Sequence, residues 1–306
     1  MCAKTLITWS PFLLPVDISP FLPFKNSIQI GSTTSAEPKL YGFDFYGLST
    51  GTYTVSVQED KKVLVGGRFH TYNNSFVDGL VRLDTGGTID NTFSIGTGFG
   101  FYGLVYDIEL QSDGKILVGG AFYQFANENT NYIIRLNSDG TRDTSFHIGN
   151  GFNGYVNSID LQSDGKVIVG GDFYDTGYYD NNMCNGIVRL NTDGSLDSTF
   201  GFGVDSEVTY VLVQPDDKIL VGGYIGSMYP YFNNWYPIDA DELIRYNADT
   251  TIDFGFYHNE MLNGAPYAIA LNSDNKIIKT KLVFPHKNNL ILPASDHIGI
   301  YCKLIK

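Results

Sequence analysis

Residues 110–122 read LQSDGKILVGGAF, and the chain repeats this stretch several times. Residues 161–173 read LQSDGKVIVGGDF, 57–69 read VQEDKKVLVGGRF, and 213–225 read VQPDDKILVGGYI. A decayed fifth copy, LNSDNKIIKTKLV, starts at Leu271 and carries Lys279 and Thr280 in place of Gly-Gly. The Gly-Gly pairs fall at 66/67, 119/120, 170/171 and 222/223. That is a period of about 52 residues, within the range that marks propellers, solenoids and arrays.

Outward from this stretch, each unit reads as four short strands. In the first, Tyr106, Ile108 and Leu110 alternate with Asp107, Glu109 and Gln111, the period of a half-buried strand. A Ser-Asp-Gly-Lys turn follows, in which Gly114 or Gly165 can take positive φ. The second strand, ILVGG, is continuously apolar and ends in glycine, as expected where strands crowd in an interior. After a loop of variable length comes a third strand: LVRLD at 80–84, IIRLN at 133–137, IVRLN at 187–191 and LIRYN at 243–247. A second Asp-Gly turn and the motif D-x-x-F close the unit, at Asp90/Phe93, Asp143/Phe146, Asp197/Phe200 and Asp253/Phe256. Four strands in this length is the size of one propeller blade.

These residues resemble the delta-60 repeat family, whose units carry the pattern LQPDGKILVGGxF followed by IxRLNxDGxxDxxF. The resemblance spans residues 53–283, close in four units and partial in the fifth. It implies an all-β chain, a β-propeller of five or six four-stranded blades. It carries over no catalytic motif, because that family, found in bacterial surface proteins and viral proteins, has none in common. A terminal strand would complete the last blade, supplied either before Tyr53 or by the strand ending at Lys306.

Composition agrees with short strands and tight turns, with 14% aromatic residues and 34 glycines among 306 residues. The charged fraction is only 17%, so Asn, Ser, Thr, Gly and Tyr must cover much of the surface, as on extracellular or particle-borne proteins. A net charge of −13 without a basic cluster argues against nucleic acid and anionic membrane as partners, and no membrane insertion is expected. The three cysteines, Cys2, Cys184 and Cys302, form neither a disulfide framework nor a zinc spacing, and the five histidines show no metal pattern. No cofactor and no metal are expected. The Asp-Gly turns lack the longer ligand loop of a calcium site.

Residues 1–40 stand outside the repeat as a proline-rich arm or cap, and 41–306 form the propeller domain. Pro11, Pro15, Pro20, Pro23 and Pro38 restrict the arm to extended or edge structure. Its apolar residues Trp9, Phe12, Leu14, Phe21 and Phe24 are candidate anchors to a larger assembly, unless they fold back on the body. The prolines also interrupt the segment after Lys4 that would have to serve as a signal peptide, so synthesis and assembly in a host cytoplasm are expected.

Three motif matches lack their structural context. Gly47-Leu48-Ser49-Thr50-Gly51 spells GxSxG but is followed by an alternating strand rather than a helix. The GxGxxG patterns at Gly98/Gly100/Gly103 and Gly149/Gly151/Gly154 open strands, so they read as turns between units. The recurring Arg82, Arg135, Arg189 and Arg245 read as partners of Asp90, Asp143, Asp197 and Asp253 that hold each unit together.

The loops after Gly-Gly lengthen from Gly67–Arg82 and Gly120–Arg135 to Gly171–Arg189 and Gly223–Arg245. They carry Tyr178, Tyr179, Tyr229, Tyr231, Phe232, Trp235 and Tyr236 beside amides and carboxylates, a composition suited to a protein or glycan partner. The expectation is a non-enzymatic structural or adhesion protein making protein–protein contacts in a virion, on a phage tail or capsid surface. Alternatives are a lectin-like host-recognition module that binds surface glycans, and a propeller-type glycan lyase or hydrolase.

Overall fold

The computed structural model describes residues 4–6, 43–44, 51–100, 102–173, 177–201, 203–204, 206–225, 243–256, 270–271 and 277–278. Two short strands come first, β1 (Lys4–Leu6) and β2 (Phe43–Asp44). The first unit contains β3 (Gly51–Val57), β4 (Val63–Arg68), β5 (Thr71–Tyr72), β6 (Ser75–Phe76) and β7 (Leu80–Leu83). The second repeats it with β8 (Leu104–Leu110), β9 (Ile116–Ala121), β10 (Gln124–Phe125), β11 (Glu128–Asn129) and β12 (Ile133–Leu136). The third has β13 (Tyr155–Leu161), β14 (Val167–Asp172), β15 (Tyr178–Tyr179), β16 (Asn182–Met183) and β17 (Ile187–Leu190). The fourth has β18 (Val208–Val213), β19 (Ile219–Gly223) and β20 (Leu243–Tyr246), and β21 (Ala270–Leu271) pairs with β22 (Ile277–Ile278) in the fifth copy.

Each unit builds an antiparallel sheet in the order first, second, third strand: β3-β4-β7, β8-β9-β12, β13-β14-β17 and β18-β19-β20. The expected fourth strand is reduced to isolated bridges, Leu83 to Ile89, Leu136 to Arg142, Leu190 to Leu196 and Tyr246 to Ile252. The reason is local, because the Asp-x-x-Phe segment turns at once to fold under the preceding arginine. The loop of variable length after Gly-Gly forms a short hairpin of two-residue strands in the first three units. Its tips are Asn73-Asn74, Ala126-Asn127 and Asp180-Asn181, all at positive φ, as a tight hairpin turn requires.

First strands meet first strands across the sheets: β3 touches β8, β8 touches β13, and β13 touches β18. They therefore form the inner edge, and the third strands lie outside. The Gly-Gly pair explains this packing residue by residue. A Cβ on Gly66 would lie 2.5 Å from Val105, one on Gly119 2.4 Å from Val156, and one on Gly170 2.5 Å from Val208. In each case the intruded residue belongs to the next unit's first strand. The second glycine serves its own sheet, since a Cβ on Gly67, Gly120, Gly171 or Gly223 would strike the carbonyl oxygen of Gly51, Leu104, Tyr155 or Glu207. That contact sits at the bulge where the first strand shifts register against the second.

The continuous apolar run of the second strand is used on both faces. Leu64 lies between the first and second sheets while Val63 and Val65 face away, and Leu117 and Ile168 repeat the pattern one sheet on. Leu271 of the fifth copy packs against the cluster of Tyr210, Leu220 and Leu243. Strict alternation fails in β8, where Asp107 is buried at 2% exposure while Tyr106 is half-buried. The bulge turns Asp107 toward the neighbouring sheet, where its carboxylate accepts the backbone N–H of Ile159 at 2.7 Å. Asp160 accepts the N–H of Val213 at 2.8 Å in the same manner, and the Ser158 hydroxyl accepts that of Val211 at 3.2 Å.

The outer part of each unit is fastened by the arginine. Arg82 donates through Nε to Asp90 at 2.8 Å, through Nη1 to the Ser138 carbonyl of the next unit at 2.6 Å, and through Nη2 to Thr92 at 3.1 Å. Lys62 completes the cluster 3.0 Å from Asp90, and the Phe93 ring lies 4.7 Å beneath the guanidinium. Arg135 repeats this with Asp143, Thr192, Ser145, Lys115 and Phe146. Arg189 pairs with Asp197 at 2.8 Å and Arg245 with Asp253 at 2.7 Å, but each turns Nη1 to a glutamine, Gln162 or Gln214. The structural reading of the four arginines holds. Burial alone would raise the carboxyls of Asp90, Asp143 and Asp197, yet hydroxyl, backbone and lysine hydrogen bonds with the adjacent arginine hold them well below the usual range.

One strand of the proline-rich arm is placed. β1 pairs with β3 in the register Lys4 to Ser56 and Leu6 to Thr54, so it extends the first sheet at its inner edge. The anchor candidates Trp9, Phe12, Leu14, Phe21 and Phe24 lie outside the described residues.

Two outcomes follow from this packing. Gly119→Ala should cost about 1–3 kcal/mol by overpacking Val156, with a lower denaturant midpoint and an unchanged slope. Gly120→Ala should cost more than Gly119→Ala, because the obstructing atom there is backbone. Stability should also fall with acid. The carboxyl pKa values are depressed in the folded state, so their contribution is complete above about pH 4 and is lost as pH falls through the folded values. Asp143→Asn strands the Arg135 charge and should cost about 3–5 kcal/mol at neutral pH. A thermal series from pH 6 to pH 2 on that variant should show a shallower acid slope than the parent.

Candidate functional site

Antiparallel pairing places the starts of the first strands and the ends of the second strands at one end of the sheets, together with the hairpins. This loop end collects exposed apolar side chains: Phe76, Tyr102, Tyr123, Tyr155, Tyr178, Met183 and Tyr224. Among the described residues the one other exposed large apolar side chain, Phe254, belongs to the last Asp-x-x-Phe turn. Lys61, Lys62, Lys115, Lys166 and Lys218 all lie in the turns at the opposite end, most of them engaged with aspartates.

Among and beneath the exposed rings, aromatic and ionisable groups converge. Tyr53 and Tyr106 meet edge to face with centroids 5.6 Å apart. Tyr123, Tyr132 and Tyr155 form a row, with successive centroid separations of 5.1 and 5.5 Å. Burial and the neighbouring Tyr53 and Tyr155 push the Tyr106 hydroxyl up to about 12, with Arg68 opposing. Asp172 is the register partner of Tyr155 across β13 and β14, so its carboxylate stands beside that ring. Asn157 donates to Glu207 at 3.3 Å and to the Val208 carbonyl at 3.1 Å, which fixes the carboxylate on the neighbouring sheet. Burial, then the charge of Asp172, raises the Glu207 carboxyl.

Tyr132 occupies the position before the third strand with φ of 69°, where the equivalent residues of the first and third units are Gly79 and Gly186. A bulky residue held there costs about 1–3 kcal/mol, and such strain concentrates at functional sites.

Of the loop aromatics singled out by sequence, Tyr178 is 41% exposed and belongs to the loop end. Tyr179 does not, being only 1% exposed with its ring 4.6 Å from Phe152 and its hydroxyl donating to the Gly194 carbonyl. Tyr178 and Tyr179 are successive residues of one strand, so their side chains face opposite ways and only one can reach solvent. Tyr229, Tyr231, Phe232, Trp235 and Tyr236 lie outside the described residues. The row of Tyr123, Tyr132 and Tyr155 was missed because its members come from two units and no short motif links them. The signal that could have found it was Tyr132, standing where its counterparts are glycine.

The GxGxxG patterns are inter-unit turns. Gly98, Gly100, Gly149 and Gly151 take positive φ and seat Phe99 and Phe152 in the core. Among the described residues no cluster of three or more His, Cys, Asp or Glu side chains could hold a metal. Cys184 is buried, and burial pushes its thiol up to about 12.

Residues 58–93, 111–146 and 162–200 match a family described as "Domain of unknown function (DUF5122) beta-propeller". No curated protein matches the chain. A protein of unknown function from Bacteroides caccae superposes with a TM-score of 0.36 at 13% identity, over 65% of this chain and 64% of its own. Two extracellular domains from B. thetaiotaomicron superpose with TM-scores of 0.38 and 0.40 at 13% and 12% identity. They are matched over 74% and 90% of this chain but only 32% and 33% of theirs, so this chain spans less than two thirds of each relative. Over the matched residues the chain is similar to a β-propeller family, and its described residues form antiparallel sheets.

The two adjacent tyrosines provide a check on the assignment of surface and core. Tyr179→Phe should cost about 1–2 kcal/mol by stranding the buried Gly194 carbonyl, whereas Tyr178→Ala should leave the denaturation midpoint within about 0.5 kcal/mol of the parent.

Proposed function

We propose that the chain is a non-catalytic structural and adhesion module, a propeller of five or six blades that works by protein–protein contact through its loop end. The observation that carries this reading is the one-sided distribution of exposed aromatics on a body whose opposite end is occupied by short, paired turns. Clustered exposed apolar side chains on a rigid scaffold mark interaction surfaces, and tyrosine suits them by joining a large apolar ring to a polar tip. The low charge and the polar, aromatic surface suit a particle-borne protein. We assign it to a virion, as a tail or capsid-surface component with residues 1–40 as an assembly arm.

A second reading, glycan binding for host recognition, is favoured by one feature. Tyr155 lies beside Asp172 and near the Asn157–Glu207 pair, which offers a stacking ring next to fixed polar groups.

Sedimentation of the native protein from its source tests the first reading. The parent should travel with large particles, and the triple variant Tyr102→Ser, Tyr123→Ser, Tyr178→Ser should remain in the supernatant with its fold intact. A native protein that sediments as a free monomer sinks the structural role. Particle binding released by a soluble oligosaccharide would replace it with the glycan reading.

A further inference from the structure

The loop end has a chemical polarity that the proposed function leaves unassigned. We propose that the exposed rings of Tyr123 and Tyr155, held in place by the buried Tyr132, receive with the carboxylates of Asp172 and Glu207 a lysine or arginine side chain of the protein partner. The inference rests on the reading of the loop end as a docking face and names the partner's charge.

Three independent observations support it. Tyr123 and Tyr155 are 60% and 41% exposed, which leaves their rings accessible to a cation, and each meets the buried Tyr132 edge to face at an interplanar angle of 65°. Asp172 stands across the strand pair from Tyr155, and Glu207 is held on the next sheet by Asn157. Among the described residues no ion pair reaches either carboxylate, and the mutual repulsion of the two is relieved by one positive charge placed between them. Finally, Tyr132 keeps a left-handed backbone that costs free energy, at a position where glycine serves elsewhere in the same chain. Its ring, 6% exposed, packs in the core cluster beneath the loop end and holds Tyr123 and Tyr155 on either side of it.

The surrounding charge agrees. The described lysines of the repeat lie at the far end, and Arg142, beside the end of the third strand, is engaged by Glu128 of the hairpin at 2.9 Å. Among the described residues Arg68 is the cation beside Tyr53 and Tyr106, and the carboxylates Asp78 and Asp180 add to the negative side. A basic patch on a partner would therefore meet a complementary potential as well as aromatic faces.

The test uses the full chain and a fluorescent acetyl-hexalysine amide read by anisotropy. Tyr132→Gly removes the ring while installing the residue that Gly79 and Gly186 already show to be compatible with the backbone. It should weaken hexalysine binding about tenfold, and Glu207→Gln about fivefold, with affinity falling as salt rises. Asp164→Asn, in an exposed turn at the opposite end, should leave binding unchanged. Equal losses in all three variants would reduce the binding to non-specific attraction by an acidic protein and overturn the proposal. Absence of binding, or equal competition by hexaglutamate or chitohexaose, would overturn it as well. In either event, loss of particle sedimentation in the triple serine variant would still uphold the loop end as the docking face.

Discussion

The arrangement of the sheets depends on one steric constraint, the missing Cβ at Gly66, Gly119 and Gly170, because the valines of the next unit's first strand occupy that space. Drawing the first strands this close leaves backbone N–H groups facing a neighbouring sheet rather than water. Such groups are costly unless paired. Asp107, Ser158 and Asp160 supply the acceptors from side chains, bonding Ile159, Val211 and Val213 across the sheet boundary. Further out, Arg82 and Arg135 reach carbonyls in the turn of the following unit and fasten the same boundary from its other side.

Once both edges are fastened, the two ends of the sheets have different freedoms. At the turn end the lysine is committed to Asp90, Asp143 or Asp197, so length and composition there are constrained. At the loop end the chain only has to return from second strand to third, and units can differ in length, hairpin tip and aromatic content. Departures from relaxed geometry occur at both ends, with Ala126 and Tyr132 in the left-handed region at the loop end and Lys61, Asp217 and Thr250 in the turns at the other. The stability of the boundaries offsets this strain, which allows a binding face to be placed on an otherwise regular body.

Much of the architecture was legible in sequence because it is written several times: the three main strands, the positive φ at Gly114 and Gly165, and the Arg82–Asp90 type of pair. The two-residue hairpins were missed although Asn73-Asn74 and Asp180-Asn181 are the dipeptides such turns favour. Their strands are too short to show a period. The burial of Asp107 was not legible, since alternation places it opposite Ile108 and only the bulge paired with Gly119 turns it toward the next sheet. The candidate site was read only in part. Aromatic composition singled out the loops after Gly-Gly, but which ring faces solvent depends on strand parity, as Tyr178 and Tyr179 show. The row of Tyr123, Tyr132 and Tyr155 depends on packing between units, which single-unit motifs do not encode.

Amide hydrogen exchange on the full chain tests most directly whether the joined first strands hold the body together. The account predicts that the amides of Ile159, Val211 and Val213, bonded across sheet boundaries, exchange only through global opening and rank among the slowest. Those of the hairpins at 71–76 and 124–129 should exchange faster through local opening. First-strand amides that exchange as fast as the hairpins would contradict the account, because the sheets would then be opening independently of one another.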